Sequence, residues 1–375
     1  MEPPPKTDPL LLTPGPLTTS ATVKQAMLHD YGSRDKRFIE LNRRICNELL
    51  ALCDAGHSHL CIPLQGSGSF AVEAMIANQV PGEGKLLNLV NGAYGHRISE
   101  ICSYLGRRVS VLETREDRPV DVAVLDRALA VDEEITHVAV VYCETTSGIA
   151  NPVADIAQVV ETHRRSLLID AMSAFGALPL SAAEIPFAAL AASANKCLES
   201  VPGMGFVIAA RESFPATEGN AHSASLDLYR QWRSLDESGQ WRFTPPVHCL
   251  LALDQALLEL EEEGGVAGRR RRYEENCRVL VEGMRELGFA TLLPDELQAP
   301  IIVTFLLPGN DKFSFPDFYQ RLNDRGYVIY PGKLTGTDSF RIGCIGHFGA
   351  DRMRAAVAAV RQVLQEMGVG YSGSE

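Results

Sequence analysis

The sequence lacks several features that mark specialised classes of protein. No apolar run reaches the roughly 18 residues that a membrane-spanning helix needs, and the opening residues MEPPPKTDP hold no apolar stretch like that of a secretory signal. Basic residues are too few to balance the acidic ones: 35 lysines and arginines stand against 47 acidic residues, and the net charge is −12. This deficit disfavours nucleic acid and anionic membrane surfaces as partners. We therefore expect a cytoplasmic protein that binds neither nucleic acid nor membranes.

Closely spaced cysteine pairs are also missing. The nine cysteines are odd in number, no two form a C-x-x-C pair, and most lie in apolar contexts such as YCET and RIGCIG. Disulfides are rare in cytosolic proteins, and metal sites commonly use closely spaced cysteines. We expect reduced, mostly buried thiols and no metal site.

Strand and helix patterns alternate along the chain up to about residue 211. HLCIPLQ, KLLNLVN and SLLIDAMSAFG are typical of buried strands, and SFAVEAMIANQV and AYGHRISEICSYLG are typical of helices. Repeated βα units with nearly continuous apolar strands predict an α/β fold with a mostly parallel sheet between helices. Beyond about residue 247, two long helical patterns and several short strands predict a smaller α+β region.

The chain is longer than one ordinary domain, at 375 residues. We place a boundary near Gly264, so that residues 1–264 form a large domain and residues 265–375 form a small α+β domain. Residues 1–9 and the tail GYSGSE are expected to be loose.

A loop rich in glycine and serine follows the first buried strand pattern, in LQGSGSFAVEA. Gly66 and Gly68 let a ligand approach the backbone. A helix predicted from about Ser69 offers free N–H groups, which suit a phosphate together with the hydroxyls of Ser67 and Ser69. The loop has neither the G-x-G-x-x-G pattern nor the lysine of a P-loop. By itself it is equally compatible with an ordinary turn between a strand and a helix.

Lysine is scarce, and one lysine stands out. Lys196 lies among small residues in FAALAASANKCLESVPGMGF. Small apolar neighbours leave room around the amine and lower its pKa, which makes it a usable nucleophile for a Schiff base. A lysine reaching out of an ordinary loop explains it equally well. Solvated side chains are expected for the other six, Lys6, Lys24, Lys36, Lys85, Lys312 and Lys333.

Asp170 ends the apolar pattern SLLID. A carboxylate at the carboxyl end of a parallel strand faces the crevice where α/β sheets bind ligands, although such a residue is also a common helix N-cap. A phosphate loop, an acid and a nucleophilic lysine, in this order, predict a site for pyridoxal 5'-phosphate (PLP). Asp170 would keep the ring nitrogen of PLP protonated, and Lys196 would bind its aldehyde.

Segments along nearly the whole chain resemble the fold-type I PLP-dependent transferases, within the branch of alanine–glyoxylate and related class V aminotransferases. NKCLESVPGMGF and TPGPLTT are fairly specific for the members of this branch that act on phosphonates. Other matching segments are QGSGSFAVEA, NGAYGHR, CETTSGIANPV, IDAMSAFGALP, GQWRFTPPVH, VIYPGK and FRIGCIG. The segment LHDYGSRDKRF, residues 28–38, departs from the family's pattern and leaves the entrance of the site and the choice of amine donor open.

The resemblance implies a role for each matching residue. The residues expected to bind the cofactor are Ser67, Gly68 and Ser69 at the phosphate, Tyr94 stacked on the ring, Thr145 at the phenolic oxygen, Asp170 at the ring nitrogen, Asn195 at the phosphate, Lys196 at the aldehyde, and Thr244 at the phosphate of a partner subunit. The residues expected to bind the substrate are Arg341, at its carboxylate, and Gly15, Thr18 and Thr19 in the segment 10–20. A contribution from Thr244 across an interface implies a homodimer with shared active sites.

The implied reaction moves the amino group of 2-aminoethylphosphonate to pyruvate and gives phosphonoacetaldehyde and L-alanine. A sister transaminase that uses glyoxylate with alanine or serine would share every cofactor residue. A PLP lyase or cysteine desulfurase would need a mobile catalytic cysteine, and neither Cys197 nor Cys344 suits that role. A non-catalytic nucleotide-binding protein would leave Lys196 and Asp170 unexplained.

Overall fold

The computed structural model describes residues 8–370, so the expectations for residues 1–7 and 371–375 lie outside the described residues. The strands are β1 (Leu10–Leu11), β2 (His59–Gln65), β3 (Lys85–Val90), β4 (Arg108–Glu113), β5 (His137–Val141), β6 (Cys143–Glu144), β7 (Ile149–Ala150), β8 (Ser166–Asp170), β9 (Ala189–Ser193), β10 (Met204–Ala210), β11 (Ile302–Leu306), β12 (Tyr327–Val328), β13 (Tyr330–Pro331) and β14 (Ser339–Gly343). The helices are α1 (Ala21–Ala26), α2 (Lys36–Ala51), α3 (Gly68–Gln79), α4 (Ala93–Tyr104), α5 (Val122–Val131), α6 (Val153–Thr162), α7 (Leu228–Ser238), α8 (Val247–Glu262), α9 (Gly265–Glu286), α10 (Phe315–Asp324) and α11 (Ala350–Met367).

The main sheet has seven strands in the order β2-β10-β9-β8-β5-β3-β4. Only β10 runs antiparallel to its neighbours, so the sheet is mixed and mostly parallel, as predicted. Alternate residues of its strands enter two different cores: in β5, Val138 and Val140 join one and Ala139 and Val141 the other. Both faces are therefore buried, which explains why the strand patterns are continuously apolar.

A second, smaller sheet has the antiparallel order β11-β14-β13 and packs with the helices of the C-terminal region. Its core includes a group of aromatic rings, Phe289, Phe305, Phe318 and Phe340. The N-terminal strand β1 pairs in parallel with β12, and Leu10 and Leu12 join this same core. The sequence did not predict this long-range pairing, and the boundary near Gly264 stays a prediction.

One local prediction differs from the structure, and one strand was not predicted. SLLIDAMSAFG was predicted as one strand, but β8 ends at Asp170 and the chain then turns, with the N–H of Phe175 bonded to the carbonyl of Ala171. The alanine-rich segment before Lys196 contains β9, a fully buried strand of the main sheet. Alanine has low strand propensity, so only its central place in the sheet makes this segment a strand. No helix within the described residues combines the length and apolarity needed to cross a membrane.

Candidate active site

The predicted site lies at the edge of the main sheet where its parallel strands end. Asp170 is the last residue of β8, Gly66 follows β2, and Lys196 comes three residues after β9 ends at Ser193. A cavity of about 390 Å³ lies at this edge. Its lining includes seven of the residues predicted to bind the cofactor, Ser67, Gly68, Ser69, Tyr94, Asp170, Asn195 and Lys196. The topology thus gathers residues that are far apart in the sequence.

The loop predicted to hold a phosphate lies at the N-terminus of α3. The helix begins at Gly68 with Ser67 as its N-cap residue, one position earlier than predicted, and the Ser67 side chain makes no capping hydrogen bond. Its hydroxyl and the N–H groups of the first turn therefore suit an anion. A Cβ at Gly68 would lie 2.3 Å from the Sδ of Met172, so a larger residue would have to displace this side chain where the loop packs on the segment after Asp170.

Asp170 is 6% exposed, and its Oδ1 accepts a hydrogen bond of 3.0 Å from the N–H of Met172. Burial raises the pKa of this carboxyl to about 6, and the nearby carboxyl of Glu144 adds to the effect. The N–H of Met172 and the charge of Lys196 oppose it without cancelling it. An acid in this state suits a cationic ligand group such as a protonated ring nitrogen.

The Nζ atom of Lys196 donates a hydrogen bond to the carbonyl of Pro14. Burial lowers the pKa of the amine, and the charge of Arg341 lowers it further, against the opposite effects of Tyr94 and Asp170. A lowered pKa makes the neutral, nucleophilic amine more accessible at neutral pH. The surroundings of this lysine are therefore those that the sequence predicted.

Tyr94 lies beside the two residues predicted to contact cofactor and substrate, Thr145 and Arg341. Its phenol is within hydrogen-bonding reach of both. Arg341 is 5% exposed and donates to the backbone carbonyls of Thr145, at 2.9 Å, and Pro331, at 3.1 Å. Neither bond neutralises the guanidinium, because both acceptors are uncharged. A buried arginine without a bonded carboxylate suits an anionic substrate group.

The N-terminal segment 10–20 meets the site at Gly15. This residue has a φ of +120°, and a Cβ on it would lie 2.7 Å from the Cδ of Lys196, so the close approach requires glycine. The hydroxyl of Thr18 accepts a hydrogen bond from the N–H of Leu11, and its carbonyl accepts one from the N–H of His347. Thr18 and Thr19 are half-buried and lie outside the cavity lining, so of the three residues predicted in this segment the structure brings only Gly15 directly to the lysine.

Thr244 does not line the same cavity. It lies with Trp241 and Phe243 in a second cavity of about 420 Å³, which also includes Phe70, the residue after the phosphate loop. Phe70 and Phe243 are 51% and 54% exposed. The divergent segment 28–38 lines neither cavity, and within it Asp30 lies 3.2 Å from the Nε2 of His248.

Some residues at the site had no role in the sequence-based prediction. Arg97 lines the cavity, donates to the Oγ of Ser69 at 3.3 Å and lies over the ring of Tyr94. Glu144, fully buried, accepts hydrogen bonds from the N–H groups of Tyr94 and Gly95 and so fixes the start of α4. A signal for Arg97 existed in the motif NGAYGHR, where it lies one helical turn after Tyr94.

Lys333 was expected to be solvated, and this expectation is wrong. The side chain is half-buried, and its Nζ lies 4.2 Å from the centre of the Tyr94 ring. Its position depends on the pairing of β13 with β14, which sets Tyr330 opposite Arg341. Local sequence context could not reveal that pairing.

The cysteines do not form a reactive site. All nine are free thiols, and seven of them are buried. Burial raises the pKa of Cys197 to about 12 and that of Cys344 well above its ordinary value. Since the thiolate is the reactive form, both are poor nucleophiles, which argues against the desulfurase alternative. Within residues 8–370, no three His, Cys, Asp or Glu side chains are grouped so as to hold a metal ion.

The residues of the cavity fit PLP. The Ser193 hydroxyl lines the cavity, is buried, and has no hydrogen-bond partner among the described residues. A buried polar group in that state calls for a ligand partner. Ser67 and Ser69 at the helix start suit the phosphate, Asp170 suits the ring nitrogen, and Lys196 suits the aldehyde.

Comparison with known proteins identifies the family of the chain. The model of the family "Aminotransferase class-V" matches residues 25–337. A 2-aminoethylphosphonate–pyruvate transaminase of Pseudomonas putida is 55% identical over 96% of this chain and 98% of its own length. The crystal structure of an alanine–glyoxylate aminotransferase from Nostoc sp. has a TM-score of 0.89 at 23% identity and covers 97% of both chains. That of a PLP-bound phosphoserine aminotransferase from Trichomonas vaginalis has a TM-score of 0.75 at 19% identity, covering 95% of this chain and 99% of its own. The chain therefore belongs to the class V aminotransferases, which confirms the fold class, the enzyme class and the PLP cofactor predicted from the sequence.

Proposed function

We propose that this enzyme transfers the amino group of 2-aminoethylphosphonate to pyruvate and gives phosphonoacetaldehyde and L-alanine, as a step of phosphonate degradation. The geometric observation that carries the proposal is Arg341, which is buried beside Lys196 and Tyr94, donates to two backbone carbonyls and has no bonded carboxylate among residues 8–370. Such a charge needs an anion, and both substrates carry one. The relative from Pseudomonas putida, similar along almost the whole chain, bears the name of this activity.

Each of three residues of the site has its own role in the proposed reaction. When bound, PLP withdraws electrons from the substrate carbon that bears the nitrogen. Asp170 holds the proton of the ring nitrogen, and its nearly complete burial strengthens that ion pair. The amine of Lys196, whose pKa is lowered, accepts a proton from the substrate carbon and would deliver it to the aldehyde carbon of the cofactor, acting first as base and then as acid. Arg341 orients the substrate by its anionic end, so that this proton faces Lys196.

Both substrates would use the same anion site in turn. We propose that Arg341 and the segment with Gly15, Thr18 and Thr19 bind the phosphonate of the donor and later the carboxylate of pyruvate. Gly15 supports this, because it lies against Lys196. In Arg341→Ala both half-reactions should be slowed strongly. An intact phosphonate half-reaction beside a lost pyruvate half-reaction would contradict the shared site.

We also propose a homodimer in which each subunit completes the other's site. The cavity with Thr244 adjoins the phosphate loop through Phe70, and its exposed aromatic residues form an apolar surface suited to a second copy of the chain. A mass of one chain in solution at micromolar concentration would contradict this assembly. The nine free thiols support the further proposal of a cytoplasmic, reducing environment.

A panel of amine donors tests the proposed reaction. The purified holoenzyme is given pyruvate with 2-aminoethylphosphonate or serine, and in parallel glyoxylate with alanine, and the amino acid formed is measured. We expect alanine formation from 2-aminoethylphosphonate to be the fastest reaction, and Lys196→Ala to abolish it. Faster turnover with glyoxylate and alanine would favour the sister transaminase. Borohydride trapping followed by peptide mapping should place the reduced cofactor on Lys196.

A further inference from the structure

Lys333 brings a positive charge into the site from the turn after β13. Its Nζ lies 4.2 Å from the centre of the Tyr94 ring. The turn is held at both ends, since a Cβ on Gly332 would lie 2.2 Å from the Oγ of Ser339 and the N–H of Thr335 donates to Glu116 at 3.2 Å. The position of Lys333 is therefore set by packing and not by a free loop.

Several cations meet at Tyr94. Burial alone would raise the pKa of its phenol, yet nearby groups lower it. In decreasing order of effect these groups are Lys196, Lys333, Thr145 and Arg341, three of which are cationic. Arg97 adds a further guanidinium at 4.9 Å from the centre of the same ring.

The acids of the site do not balance these charges. The carboxylates of Glu144 and Asp170 are only two, whereas four cationic side chains lie around Tyr94: Lys196, Lys333, Arg341 and Arg97. No carboxylate among residues 8–370 forms an ion pair with Lys333. The site therefore keeps an excess of positive charge, although the chain as a whole is acidic.

The cationic side chains left for the substrate suit the different negative charges of the two substrates. Lys196 is engaged by the cofactor, and Arg97 donates to the Oγ of Ser69 in the loop predicted to hold the phosphate. Arg341 and Lys333 are then left for the substrate on the side of Tyr94. A phosphonate, like a phosphate, carries close to two negative charges near neutral pH, whereas a carboxylate carries one. Arg341 alone suffices for a carboxylate, which it can bind through two parallel N–H donors.

We propose that Lys333 determines specificity for the donor, because it supplies the second positive charge that a phosphonate dianion needs and that pyruvate does not. This assignment rests on the proposed function. Lys333 would discriminate, by their charge, between two ligands that bind at the same site.

Two unreactive analogues, in which two methylene groups separate a hydroxyl from the anionic group, test the assignment. 2-Hydroxyethylphosphonate and 3-hydroxypropionate differ only in the anionic group, and their binding to the holoenzyme can be measured by calorimetry. In Lys333→Met, the dissociation constant for the phosphonate should rise about 30-fold, the loss expected for one charge-assisted contact. The constant for the carboxylate should change less than about threefold. Lys333→Arg should keep most of the phosphonate affinity.

The control variant is Lys312→Met, which removes the same charge from an exposed position of the C-terminal region. It should alter neither constant, and the visible absorbance of both loaded variants should match the wild type. Equal weakening of both ligands in Lys333→Met, or no weakening of the phosphonate, would overturn the assignment while alanine formation by the wild type still supports the proposed function. No alanine formation from 2-aminoethylphosphonate by the wild type would overturn both.

Discussion

Asp170 is proposed to pair with the ring nitrogen of the cofactor, and it should destabilise the protein when no cofactor is bound. The carboxyl is 6% exposed and has a single hydrogen bond, from the N–H of Met172. Burial is the largest effect on its pKa and raises it from 3.8 to about 6. In Asp170→Asn, the amide oxygen can accept the same hydrogen bond without a charge. We therefore predict that the variant is more stable than the wild type in the cofactor-free form.

The magnitude follows from the pKa. The rise of the pKa from 3.8 to about 6 corresponds to about 3 kcal/mol of unfolding free energy, because each pKa unit corresponds to about 1.4 kcal/mol. A raised pKa means that the folded state binds the proton more tightly than the unfolded state. The contribution of Asp170 to the stability of the wild type is therefore most favourable below pH 3.8 and is lost as the pH rises through about 6. The advantage of Asp170→Asn should reach up to about 3 kcal/mol at pH 8 and shrink towards zero near pH 4.

Urea unfolding of the cofactor-free proteins measures this difference, with the chain concentration held constant because assembly adds to apparent stability. Asp311→Asn, which changes an exposed carboxyl, is the control and should have no effect at either pH. PLP should reverse the order of stability, since the ring nitrogen gives the wild-type carboxylate its missing partner. A cofactor-free Asp170→Asn protein that is less stable at pH 8, or whose gain is the same at pH 5, would refute the reasoning.

Two further substitutions test other parts of the site and its support. Burial alone would raise the pKa of Glu199, but the ring of His347, with its Nδ1 at 3.6 Å, and two nearby arginines lower it to about 2. Its stabilising effect is therefore present above pH 4.5 and lost as the pH falls towards 2. Glu199→Gln should therefore lower the free energy of unfolding of the holoenzyme by about 3 kcal/mol at pH 7, as measured in urea, and an effect below about 1 kcal/mol would contradict this. Gly68→Ala places a Cβ 2.3 Å from the sulfur of Met172 and should weaken PLP binding at least about tenfold in equilibrium dialysis, whereas Gly32→Ala, with open space around it, should not. Unchanged PLP affinity in Gly68→Ala would show that the loop can move away.

The candidate site could be located from the sequence because its predicted residues coincide with the ends of regular elements. Asp170 ends an apolar strand pattern, and Ser67 begins a helix after another such pattern. In a parallel sheet those ends meet at one edge, so the periodicity of the sequence already places them together. Lys196 follows from the scarcity of lysine and the small residues around it.

The supporting contacts could not be predicted, because they join residues that are distant in sequence. The Glu199 carboxylate accepts a hydrogen bond of 2.8 Å from Arg272, which the sequence analysis did not connect with the lysine segment. Lys333 reaches Tyr94 only through the pairing of two strands in the C-terminal region. A partner of a charged residue depends on the whole topology, whereas an amphipathic or apolar pattern is a local property.

The groups at the centre of the site share one physical property, which is that the protein alone does not satisfy them. The pKa of Asp170 is raised and that of Lys196 is lowered, so both charged forms are disfavoured by burial. Ser193 holds a buried hydroxyl without a partner among the described residues, and Arg341 donates to two neutral carbonyls without a bonded carboxylate among residues 8–370. Each of these costs folding free energy, and each is relieved by a particular part of cofactor or substrate. The buried main sheet supplies the stability that allows four such groups to be held together, and ligand binding then recovers free energy that folding could not.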